Sequence, residues 1–115
     1  MISTKRLIKS FRHAFEGLKT AFVEEQNFKL MAFAVAVSLV VIVLKPMPLS
    51  YRAAIVLAGG LLLAVELLNT AAERAMDALS PDSLEEIRKI KDMTAGAALV
   101  ASIAWVVVFA WVLFA

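Results

Sequence analysis

The sequence predicts an all-α membrane protein: an N-terminal amphipathic surface helix followed by three transmembrane helices. Three observations point there. Of 115 residues, 62% are hydrophobic and only 19% charged, a balance unlike that of a soluble domain. Three apolar stretches, 28–44, 53–72 and 93–115, approach or reach the about 20 helical residues that cross a ~30 Å hydrocarbon core. Ahead of them, residues 4–26 repeat their apolar positions at helical spacing. The expectation is one membrane-embedded domain over 1–115, with the surface helix at 4–26 and spans at about 28–47, 51–74 and 93–115.

In the surface helix Leu7, Ile8, Phe11, Phe15, Leu18 and Phe22 fall within a sector about 100° wide, with Lys5, Lys9, Arg12, Glu16 and Lys19 mostly outside it. A basic helix with a Phe-rich face suits a cytoplasmic membrane surface. The first span carries one charge near its start, Lys29, and is short. It needs residues up to Met47, a thinner bilayer or partners. Its long basic prelude, and the placement of Ala34 and Ala36 inside the apolar stretch, argue against a cleaved signal peptide.

Lys45-Pro46-Met47-Pro48 ends that span, since prolines cannot continue a helix. Ser50 is the expected N-cap of the second. Gly59-Gly60, in mid-span, lets neighbouring helices approach closely. After Ser80, Pro81 suits the first position of a new helix, and Ser83-Leu84-Glu85-Glu86 offers a capping box. From there a helix of about 30 residues, roughly 45 Å, can run into the third span. Trp105 and Trp111 read as packing or lipid-facing residues, Trp111 at the depth of an aromatic belt.

Charge supplies the orientation. Six Lys/Arg flank the start of the first span (Lys5, Arg6, Lys9, Arg12, Lys19, Lys29), two lie in the 45–52 connection and four in the 74–92 connection. Three spans put the N-terminus and the 74–92 connection on one side, ten positive residues against two, so both are expected in the cytoplasm and the C-terminus outside. Cysteine is absent, which excludes disulfides and thiolate metal sites. No nucleic-acid partner is expected.

The polar end of the second span carries the chemistry. At 100° per residue, Glu66, Asn69, Glu73 and Asp77 lie at about 0°, −60°, −20° and +20°, one stripe of one helix. An ionised carboxylate at membrane depth costs several kcal/mol, so such a stripe has a purpose. Glu66 and Glu73 are about 10 Å apart along the axis and can frame a site from deep to shallow. Lys91-Asp92 adds a cation and a carboxylate across the loop, and Glu24-Glu25 lies near the start of the first span. These are materials for holding Mg²⁺ with polyphosphate, and a carboxylate deeper in the membrane suits general-base work. The same residue types also serve proton or cation transport, or a structural helix contact, and spacing alone leaves all three open.

A resemblance covering nearly the whole chain favours catalysis. Glu66-Leu67-Leu68-Asn69-Thr70-Ala71-Ala72-Glu73-x-x-x-Asp77 resembles the signature of the small bacterial integral-membrane lipid kinases, the diacylglycerol kinase/undecaprenol kinase family. Lys91-Asp92 followed by Ala95-Gly96-Ala97-Ala98 is similar to its second motif. Lys9-Ser10-Phe11-x-His13-Ala14-x-x-Gly17 and Glu25-x-Asn27-Phe28 resemble its amino-terminal motifs. The resemblance implies a homotrimer in the bacterial inner membrane, with active sites shared between subunits, that phosphorylates a lipid alcohol from ATP with Mg²⁺. It implies Glu66 as the base on the lipid hydroxyl, and Glu25 and Glu73 as ligands of the metal. It implies a nucleotide site drawn from Arg6, His13, Glu25, Asn69, Glu73, Asp77, Asp82, Ser83, Lys91 and Asp92, and a lipid site from Arg6, Lys9 and Glu66. The amino-terminal motifs favour undecaprenol over diacylglycerol as acceptor, with Met31 departing from the histidine frequent in the undecaprenol branch.

No G-x-x-x-x-G-K-[ST] loop exists among the four glycines, Gly17, Gly59, Gly60 and Gly96. Charge on a transferring phosphoryl group must then be offset by the metal and by side chains such as Lys91.

Overall fold

The computed structural model describes residues 3–79 and 84–115. Four helices follow in order, α1 Thr4–Glu24, α2 Gln26–Leu44, α3 Leu49–Leu79 and α4 Glu85–Phe114, and no strand occurs among the described residues. The expected all-α class is observed, and α2, α3 and α4 are each long and apolar enough to cross a membrane.

Ser3 starts α1, its side-chain oxygen accepting the Arg6 backbone N–H at 3.4 Å. Glu25 ends that helix in an extended conformation (φ −114°, ψ 114°), its own N–H still donating to the Ala21 carbonyl at 2.9 Å. The same residue opens α2, where its carbonyl accepts the Lys29 N–H at 3.2 Å. One residue therefore makes the whole joint between α1 and the first spanning helix.

Helix α2 has 19 residues and stops at Leu44, short of Met47. Pro46 is the cause, because it forces Lys45 into an extended conformation (φ −94°, ψ 128°). At about 28 Å the helix still nearly matches a hydrocarbon core. Ser50 is not the cap of α3. The helix starts at Leu49, and the Pro48 carbonyl accepts the N–H groups of Tyr51 and Arg52 at 3.1 and 3.4 Å, leaving Ser50 inside the first turn. Helix α4 starts after Leu84, which provides no side-chain cap, while Glu85 and Glu86 place acidic charge on its N-terminal dipole. The restart expected at Pro81 and Ser83 lies outside the described residues.

Helix α3 is the spine, packing most extensively on α4, then on α2, while α1 touches α2 more than α3. Val35, Leu62, Ala101 and Trp105 form one core cluster, and Ile42, Ile55 and Val112 a second. Trp105 is buried and stacks on Phe109 with ring centroids 5.1 Å apart, whereas Trp111 is exposed. At Gly59 a Cβ would meet Val35 Cγ1 at 2.9 Å, so glycine there permits close approach of α2 to α3, while nothing crowds Gly60. Only 22% of the apolar window of each spanning helix is buried within the chain, so most of that surface must face lipid or other chains.

The two ends of the bundle differ. At one, Lys45 Nζ donates to the carbonyls of Val112 and Leu113 at 3.1 and 2.7 Å, capping the C-terminus of α4 with a cation. At the other, the Glu25 joint meets the polar part of α3.

Candidate active site

Helix α3 runs unbroken from Leu49 to Leu79, so its stripe is one rigid face. Glu66 is its deepest polar member and only 6% exposed, with no hydrogen bond to its carboxylate among the described residues. The Asn69 Oδ1 atom, one turn further on, is also buried and unpartnered among them. The Asn69 oxygen, buried without a donor, is costly in an apolar setting, and with the Glu66 side chain one turn away it marks a place where a proton, a hydroxyl or a cation can be received.

Toward the end of α3 the stripe opens out. Asp77 accepts from Lys91 Nζ at 2.7 Å, joining α3 to the first turns of α4. The hydrogen bond to Asp77, reinforced by the charge of Glu73, holds the Lys91 ammonium above the usual lysine range. Asp92 does not join this group within one chain. Successive helical residues diverge by about 100°, and its carboxylate instead faces Arg88 at 3.7 Å, one turn back on α4.

The opposite flank carries a residue that sequence reasoning passed over, Arg74. Its Nε and Nη2 donate to Glu25 Oε1 at 3.0 and 2.8 Å, and Nη2 also donates to Glu24 Oε1 at 3.1 Å. Glu24 is therefore an ion-pair partner rather than a freely solvated residue. The only sequence signal for Arg74 was a cation beside Glu73, and nothing local reveals partners 49 and 50 positions away.

Between α1 and α3, on the flank of α3 that carries Leu67, Thr70 and Arg74 rather than on the stripe itself, runs a groove of about 570 Å³ lined mainly by apolar atoms, with His13 and Arg74 at its polar edges and Gly17 and Ala21 along the α1 wall. His13 Nδ1 lies 3.7 Å from Glu16 on exposed α1. Lys9 and Arg6 are exposed, Lys9 lining a shallow hollow with Lys5, Ile8 and Arg12. Asp82 and Ser83 lie outside the described residues. Among the described residues no three acidic or histidine side chains gather around one point. Among those residues, a metal held by one or two carboxylates would need further oxygens from elsewhere. That suits Mg²⁺ accompanied by phosphate oxygens and water better than a closed protein cage.

The family model for prokaryotic diacylglycerol kinase matches residues 12–113. The chain belongs to this family. It is 37% identical over 103 residues to a diacylglycerol kinase of Synechocystis sp., an alignment covering 89% of this chain and 59% of that protein, so the chain spans well under two thirds of that relative's length. Its identity to a diacylglycerol kinase of Helicobacter pylori is 34% over 112 residues, covering 91% of this chain and 82% of the relative. For a diacylglycerol kinase of Escherichia coli the figures are 29% over 106 residues, 92% and 85%. Membership of the prokaryotic diacylglycerol kinase family, with three helices long and apolar enough to cross a membrane, bears out the expected family and a multi-pass membrane architecture.

Proposed function

We propose that the protein transfers the γ-phosphoryl group of ATP to the hydroxyl of diacylglycerol at the membrane interface. The observation that carries this reading is the buried Glu66, without a hydrogen-bond partner among the described residues, on the same helix face that ends in the exposed Asp77–Lys91 pair. In one step the lipid oxygen bonds to the γ-phosphorus, the bond to the bridging oxygen breaks, and ADP leaves. Glu66 takes the hydroxyl proton. Asn69, one turn away, receives or orients the hydroxyl.

Glu25 and Glu73 are the carboxylates that would hold Mg²⁺, the hard-oxygen donor set this ion prefers. Bound there with ATP, the ion would neutralise phosphate charge. Lys91, Asp77 and Asp92 border the nucleotide, together with Asp82, Ser83, Arg6 and His13. Arg6 and Lys9 meet the acceptor's surroundings from α1, and the groove between α1 and α3 offers a lateral path for the lipid from the bilayer. The active unit is a homotrimer in the bacterial cytoplasmic membrane, with N-terminus and 74–92 connection in the cytoplasm. Two features support shared sites: the large uncovered apolar surface, and Asp92 turned away from its own stripe.

Diacylglycerol leads because it is the acceptor named in the relatives. Undecaprenol is the second reading, favoured by the motifs around Lys9–Ala14 and Glu25–Phe28. Purified protein in mixed micelles with Mg·ATP and each alcohol separates them through kcat/KM. A clear preference for undecaprenol overturns the first reading. Absence of lipid phosphorylation, with a Glu66-dependent proton flux in vesicles, overturns both in favour of a transporter.

A further inference from the structure

Arg74 lies beside Glu73 in sequence yet not on its stripe, turned about 100° toward the joint between α1 and α2. That joint is Glu25 alone, extended between two helices. Both Arg74 hydrogen bonds to Glu25 converge on Oε1, at 3.0 and 2.8 Å, and Oε2 has no partner among the described residues. The neighbouring Glu24 takes a third bond from the same guanidinium at 3.1 Å. On the other flank of the stripe Lys91 holds Asp77. The pair proposed to hold the metal is thus bracketed by two cations, one of which already grips a member of the pair.

We propose that Arg74 is a positioning residue that occupies Glu25 in place of a divalent cation, so that the metal binds together with the nucleotide rather than ahead of it. The proposal rests on the assignment of Glu25 and Glu73 as metal carboxylates. A guanidinium is always charged, so its competition is constant across the working pH range. Near a dication it also adds repulsion, which weakens binding of the bare metal. An incoming polyphosphate reverses the balance. Its oxygens complete the coordination of the metal and give Arg74 a new anionic partner, which loosens its hold on Glu25 and frees the carboxylate's charge for the metal. Meanwhile the three bonds keep the one-residue joint docked on α3.

The test is Mn²⁺ binding to the full chain in detergent micelles without nucleotide, read from the loss of the free-ion electron paramagnetic resonance signal. Arg74 is half exposed, so Arg74→Ala is expected to fold, which helix content by circular dichroism checks. Arg74→Ala is expected to bind Mn²⁺ about three- to tenfold more tightly than the parent, the size of one screened charge near a dication. Arg74→Lys keeps the charge and stays close to the parent. The gain disappears when Glu25→Gln is added. With saturating ATP present, the parent and Arg74→Ala differ less in metal affinity, whereas kcat falls in Arg74→Ala because Glu25 is less well held. Unchanged or weaker Mn²⁺ binding in Arg74→Ala, with binding still dependent on Glu25, overturns the role of Arg74 alone. Mn²⁺ binding indifferent to both Glu25→Gln and Glu73→Gln overturns the metal assignment itself, and this proposal with it.

Discussion

Gly59→Ala and Gly60→Ala form a matched pair that measures how tightly α2 packs on α3. Both residues lie in mid-helix, so each substitution gains the same about 0.5–1 kcal/mol of helix propensity. That gain cancels in the difference between the two. What remains is steric: a Cβ at Gly59 meets Val35 Cγ1 at 2.9 Å, whereas at Gly60 it meets nothing within 4 Å. Val35 cannot easily give way. It is 5% exposed, β-branched, and packed with Leu62, Ala101 and Trp105. Overpacking of this kind costs about 1–3 kcal/mol, so Gly59→Ala should be less stable than Gly60→Ala by that amount. Denaturation by increasing detergent mole fraction in mixed micelles, followed by circular dichroism, reads the difference. Equal stabilities, or Gly60→Ala as the weaker, would refute the reasoning that Gly59 alone sits at the close approach.

Other outcomes follow from the same packing and charges. Trp105→Ala removes a buried ring from between α2, α3 and α4 and should cost about 3–5 kcal/mol in that assay, while Trp111→Ala at an exposed site should stay within about 0.5 kcal/mol. The Lys91 pair gives a pH prediction. Because Asp77 raises the folded-state pKa of Lys91, the pair's contribution is fully present below the unfolded lysine value and is lost only as pH rises through the folded one. Stability between pH 6 and 9 should therefore show no step that disappears in Lys91→Met, and a step that does disappear would contradict the assignment.

Much of the architecture was legible because lipid simplifies the pattern. Runs such as 93–115 have no competing soluble reading, and Pro46 had to end a helix. The stripe from Glu66 to Asp77 was legible because helical geometry alone decides which side of α3 its members share, and α3 proved unbroken across them. Local cap chemistry misled at Ser50, where the Pro48 carbonyl already serves the first amides and the helix needs no side chain to begin. Pairing across helices was not legible. Arg74 finds Glu24 and Glu25 only because the joint folds α1 and α2 back toward α3. Asp92, adjacent to Lys91 in sequence, points elsewhere for the ordinary reason that helical neighbours diverge.

The most direct test of the account is the rate of lipid phosphorylation by Glu66→Gln, measured beside ATP affinity in the same micelles. Glutamine keeps the size and loses the base, so kcat should fall by about 100- to 10,000-fold while ATP binds as in the parent. A Glu66→Gln protein that phosphorylates diacylglycerol at the parental rate would contradict the assignment of Glu66 as the base at the deep end of the stripe.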